Sequence, residues 1–132
     1  MKPSLLCAVL FSFILLYGTA QSQEHKLVKL WETDTLLKVP ESVRYDAVNK
    51  ILYTANIDGQ PWGKDGKGSI GKVGLDGKII ASEWVTGLDA PKGMGIHAGK
   101  LYVADVDVVV VIDIAKGKII QMIAVDGAKG LN

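Results

Sequence analysis

The stretch "APKGMGIHAGKLYVADV", residues 90–106, restates what "VPESVRYDAVNKILYTANI" says at residues 39–57. Each opens at a proline, runs through a short apolar segment and turns at a lysine. Each closes on Leu-Tyr-x-Ala and a side-chain oxygen: Leu52-Tyr53-Thr54-Ala55-Asn56, then Leu101-Tyr102-Val103-Ala104-Asp105. Residues 40–56 align with 91–105 once two residues are dropped at the turn. The echo continues, since "KVGLDGKII" (72–80) matches "VIDIAKGKII" (111–120) with one extra residue in the second turn. Glycine-containing turns between β-rich runs predict hairpins. The first unit then predicts strands over 42–46, 51–56, 69–75 and 78–85, and the second over 93–97, 100–105, 108–114 and 118–125.

Short strands at close spacing with no helical period predict an all-β fold. Pro40 and Pro91 stand 51 residues apart, and the two Gly-Lys-Ile-Ile turns (77–80 and 117–120) stand 40 apart. A four-stranded unit repeating at that interval is the signature of a β-propeller blade. The expected organisation is a blade at 39–89, a second at 90–127 and the start of a third at 128–132. Residues 21–38 form a lead-in, and the alternation of "KLVKLW" within His25–Leu37 predicts one further strand, placed to close a ring. Blades bury their faces on neighbours, so two of them do not close a ring. The chain is therefore expected to be the N-terminal part of a longer protein, the alternative being several copies in one ring.

The 132 residues allow one small domain at most, and a net charge of +1 with 22% charged residues offers no nucleic-acid surface. Lys2, the apolar run Leu5–Tyr17 and the small residues Gly18-Thr19-Ala20 read as a secretory signal peptide over 1–20. The run is short for a membrane span. The expectation is an exported protein, periplasmic or extracellular, with no membrane attachment after cleavage. The only cysteine, Cys7, lies inside that run behind Leu5 and Leu6, not behind the small residues of a lipoprotein signal. The exported chain is then stabilised by its core and by no disulfide.

The repeat resembles the family of senescence marker protein, gluconolactonase and luciferin-regenerating enzyme, six-bladed β-propellers related in look to NHL-repeat proteins. The likeness rests on "PESVRYD" (40–46), "NKILYTANIDG" (49–59), "APKGMGI" (90–96) and "GKLYVADV" (99–106), and it covers residues 36–132. It implies a divalent cation, commonly calcium, at the mouth of a central channel. Its ligands in that family are a Glu at the start of an innermost strand, Asn residues at equivalent positions in later blades, and an Asp after a second strand. The family's E-G-P-V-W-D becomes Glu41-Ser42-Val43-Arg44-Tyr45-Asp46 here, which keeps the Glu and the Asp and makes Glu41 the candidate first ligand. Ser42 and Val43 replace Gly-Pro, and Arg44 adds a charge nearby. The equivalent of Glu41 in the second unit is Lys92, which does not bind a cation. Ile80 to Lys92 is 12 residues and so is Ile120 to Asn132, which puts Asn132 in the family's Asn-ligand position. A competing register pairs "KGL" (129–131) with "KGM" (92–94) and makes Asn132 incidental.

Oxygen ligands of this kind suit a hard cation. The resemblance implies hydrolysis of a sugar lactone or similar ester by a cation-activated water. Ser42, Ser69 and Ser82 lack the setting of a nucleophile elbow. Asn56 and Asp105 end matching strands, and Trp62 sits in the polar loop "DGQPWGKDGKG" (58–68) that the second unit lacks. These three are the candidates for a substrate mouth. The plainer alternatives are that Asn56 and Asp105 cap turns and that Trp62 covers an apolar gap. The competing function is a non-catalytic propeller that binds a carbohydrate, peptide or protein on its top face. Lys92 favours that function, and the Glu41–Asp46 spacing favours the hydrolase. His25 and His97 take solvated or turn positions.

Overall fold

The computed structural model describes residues 25–132, so the leader expected at 1–20 lies outside the described residues. Eight strands follow one another: β1 (Pro40–Asp46), β2 (Ile51–Asn56), β3 (Gly68–Gly74), β4 (Ile79–Leu88), β5 (Pro91–His97), β6 (Lys100–Asp105), β7 (Val108–Asp113) and β8 (Lys118–Ala124). They form two antiparallel four-stranded sheets, β1-β2-β3-β4 and β5-β6-β7-β8, each in chain order. All eight overlap the strands the sequence predicts, with β1 and β5 extended back to their prolines and β4 running on from 85 to Leu88. Among the described residues no helix is long and apolar enough to cross a membrane.

Turn chemistry explains the two dropped residues. In the second sheet His97 pairs with Lys100. Between them Ala98 and Gly99 both take positive φ, 46° and 72°, which is the pattern of a two-residue type I′ hairpin. In the first sheet Asp46 pairs with Ile51, leaving four residues in the loop. The buried Asp46 carboxylate organises that loop, accepting the N–H groups of Val48 (2.9 Å) and Asn49 (3.1 Å) and the Asn49 amide (2.7 Å). Burial pushes its pKa up, but these bonds, with one from the Tyr53 hydroxyl, together hold it below the ordinary carboxylate value.

The sheets pack face to face around one core. Tyr53, Ala55, Ile70, Val85 and Leu88 come from the first sheet, and Leu101, Val103, Val110 and Ile112 from the second. Each fully buried aliphatic side chain there contributes about 1.5–3 kcal/mol. Trp84 stacks on Tyr53 with 5.1 Å between ring centroids, and the Lys72 ammonium lies 3.9 Å above the Trp84 ring. The first strands of the two sheets are neighbours, and the Ser42 hydroxyl donates to the Lys92 carbonyl at 2.6 Å.

One expected strand is absent. Residues 25–37 form no strand, and Leu27, Val28 and Leu30 are exposed. Alternation makes a strand only where the segment pairs with a sheet edge, and this segment pairs with none of the edge strands β1, β4, β5 and β8. It crosses the outer face of the first sheet instead. Trp31 packs over Gly77 in the β3–β4 turn, and Leu37 packs beside Thr54 over Gly71 of β3, where a Cβ would stand only 3.1 Å from the leucine methyl. Only its last residues pair: the carbonyls of Lys38 and Val39 accept the N–H groups of Asp58 (3.3 Å) and Ile57 (3.1 Å).

Candidate functional site

Antiparallel alternation brings the starts of β1, β3, β5 and β7 and the ends of β2, β4, β6 and β8 to one end of the molecule. Glu41 is the second residue of β1, Asn56 ends β2, Trp62 lies in the β2–β3 loop, Asp105 ends β6 and Asn132 follows β8. All five candidate residues therefore share that end. They occupy separate settings within it.

Asp105 is buried and accepts the N–H groups of Asp89 (2.8 Å) and Ala90 (2.6 Å). Those amides belong to the crossover between the sheets, so this carboxylate holds the crossover in place. Burial pushes its pKa above the ordinary carboxylate value, the two N–H groups pull it back, and the charges of Asp89 and Asp107 push it up again. Asn56, the same position in the first unit, is buried too. Its amide nitrogen donates to the Ser82 carbonyl (3.0 Å) and the Ser69 hydroxyl (3.3 Å), while its Oδ1 has no partner. Thr54 Oγ1, on the same face of β2, is also buried without a partner.

Trp62 is half exposed. The Lys92 ammonium lies 4.4 Å from its ring centroid, and a Cβ on Gly130 would stand 2.7 Å from the ring. The indole thus joins the start of β5 to the segment after β8. Lys92 itself is only 3% exposed. Sequence reasoning gave it no positive role. The signal was present in the alignment, which puts this lysine where the first unit has Glu41.

Asn132 lies with its main chain beside Gly93, its carbonyl carbon 3.2 Å from where a Cβ would stand. Gly93 is the repeat partner of Ser42, and Ser42 touches the main chain of Lys92. Gly93 therefore stands to Asn132 as Ser42 stands to Lys92.

Glu41 is exposed and, among the described residues, forms no ion pair. It lines a shallow groove with Pro40, Ser42, Val43 and Thr54. Among the described residues no three His, Cys, Asp or Glu side chains gather closely enough to hold a metal ion. Glu41 and Asn132 are hard-oxygen donors of the kind calcium takes, but two donors are only part of a shell of roughly six to eight. A second groove lies at the opposite end, between Asn49, Tyr53, Lys72, Gly99 and Ile114, where the sequence singled out no site. No protein family, curated protein or solved structure matches the chain.

Proposed function

We propose that the two sheets are adjacent blades of a β-propeller, and that the end carrying Glu41, Trp62, Lys92 and Asn132 is the ligand mouth of an exported lactonase-type hydrolase. The observation that carries this reading is the repeated contact, Ser42 to Lys92 and then Gly93 to Asn132. It supports equivalent positions for Glu41 and Lys92, each second in its strand, and for Asn132 after β8. Chain-order sheets stacked face to face, with β1 beside β5, support the blade assignment.

In this reading Glu41 and Asn132 hold a divalent cation of the calcium class, with further donors from further repeat units. When bound, such an ion polarises a carbonyl or acidifies a water. The chain's own residues do the rest. The exposed Glu41 carboxylate meets solvent at the mouth, Trp62 provides a flat wall, and Lys92 supplies a fixed positive charge. The substrate class is a sugar lactone or similar ester. The placement of Lys92 between the two oxygen donors favours a second reading, a non-catalytic propeller that binds a carbohydrate, peptide or protein.

Calorimetric titration of calcium into the protein, beside Glu41→Gln, separates the two. Saturable binding that the variant loses is the expected result. A folded wild type that takes up no calcium leaves the recognition reading.

A further inference from the structure

Lys92 is the only buried basic side chain among the described residues. Six other lysines, all exposed at the side chain, form ion pairs: Lys29, Lys38, Lys64, Lys67, Lys78 and Lys116. Lys92 is not in any ion pair or side-chain hydrogen bond there, although an ammonium carries three donors. Nearly every acid at its end of the molecule is engaged elsewhere. Asp58 takes Lys38, Asp65 takes Lys67, Asp107 takes Lys64, Asp89 accepts the Gly66 N–H, and Asp105 accepts the crossover amides. A buried charge with no counter-ion is costly. The Trp62 ring beneath it offsets part of that cost through a cation–π contact. Among the described residues the fully enclosed side-chain polar atoms without partners are Thr54 Oγ1 and Asn56 Oδ1, so the Lys92 ammonium nitrogen keeps some contact with solvent.

We propose that Lys92 and Trp62 form a subsite for the carboxylate of a small polyhydroxy acid. The ammonium pairs with the carboxylate, and the exposed part of the indole covers the C–H face of the carbon chain. The preference for an anion rests on Lys92 itself. The polyhydroxy part rests on the lactonase reading, because water opening a sugar lactone releases such an acid.

Gluconate is the probe and sorbitol its neutral match. Both are titrated in the presence of a calcium chelator, with calorimetry and tryptophan fluorescence as readouts. Saturable gluconate binding is expected, with none for sorbitol. Lys92→Met keeps the apolar stem and removes the charge, and it should weaken gluconate at least about tenfold, the loss of one charge-assisted contact. Lys92→Arg should retain binding, and Trp62→Phe should lose most of the fluorescence response. Circular dichroism melting of each variant confirms that it is folded. Equal binding of gluconate and sorbitol, no gluconate binding, or unchanged binding in folded Lys92→Met would overturn the subsite. Gluconate binding that survives in Glu41→Gln upholds it even if the calcium titration fails. Calcium binding at Glu41 with no response to gluconate overturns the subsite alone.

Discussion

In β2 the motif Leu52-Tyr53-Thr54-Ala55 sends Tyr53 and Ala55 into the interface between the sheets. In β6 the matching Leu101-Tyr102-Val103-Ala104 sends Leu101 and Val103 there, and Tyr102 and Ala104 face away, half-buried. One motif therefore serves the same interface from opposite sides. Each sheet carries on its back the face that its neighbour uses at the front. The far face of the first sheet carries the exposed Val43 and Tyr45 beside Thr54, which Leu37 covers, and the far face of the second carries the half-buried Tyr102 and Ala104.

The comparison breaks most visibly at the leucines. Leu101→Ala should cost about 3 kcal/mol in urea unfolding, the usual cost of a cavity in a closed core. Leu52→Ala, the same letter on the outer face, should cost about 1 kcal/mol or less, since the residue is only partly buried. Equal costs would mean that the outer face buries Leu52 as fully as the interface buries Leu101.

Next in size is the pair that ends these strands. At Asp105 two amides donate to a carboxylate, whereas at Asn56 the side chain donates to a carbonyl. Asn56→Asp would aim a buried charge at the Ser82 carbonyl and should cost about 2 kcal/mol. Asp105→Asn keeps one acceptor and should cost less. The reverse ranking would show that the two positions are not equivalent.

Alkali provides a third test. Tyr53 is buried in the interface, and burial, followed by the Asp46 charge, pushes its phenol from 10.0 up to about 12. The folded state favours the neutral phenol. Its contribution is complete below pH 10 and is lost as the pH rises through about 12. Unfolding midpoints taken across that window should fall for wild type and stay flatter in Tyr53→Phe. The smallest effect belongs to the β5–β6 turn. Ala98 holds φ at 46°, so Ala98→Asn should raise stability by about 0.5 kcal/mol. Any loss of stability there would argue against the type I′ geometry.

Strand positions were legible because glycine turns and apolar runs are local signals, and the repeat let each unit check the other. The strand expected in His25–Leu37 was misread because alternation is local and an edge to pair with is not. The five candidate residues could be placed at one end from strand parity alone. Their separation within that end could not, because it depends on which hydrogen bonds Asn56 and Asp105 make across the fold. Lys92 was visible as a misfit in the alignment, but its burial under Trp62 depends on a loop that the second unit lacks.

Val106 holds φ at 49°, in a region that a β-branched residue avoids. It is kept there by packing with Ile57 and Ala90 and by the Leu131 N–H that donates to its carbonyl at 2.8 Å. The β5–β6 turn closes on local preference, whereas the β6–β7 turn needs residues 49 positions before it and 25 after it in the chain (106 − 57 and 131 − 106). Time therefore separates the two hairpins. In pulsed hydrogen exchange during refolding, the amides of β5 should gain protection before those of β7, and the second sheet should finish only once the first is in place.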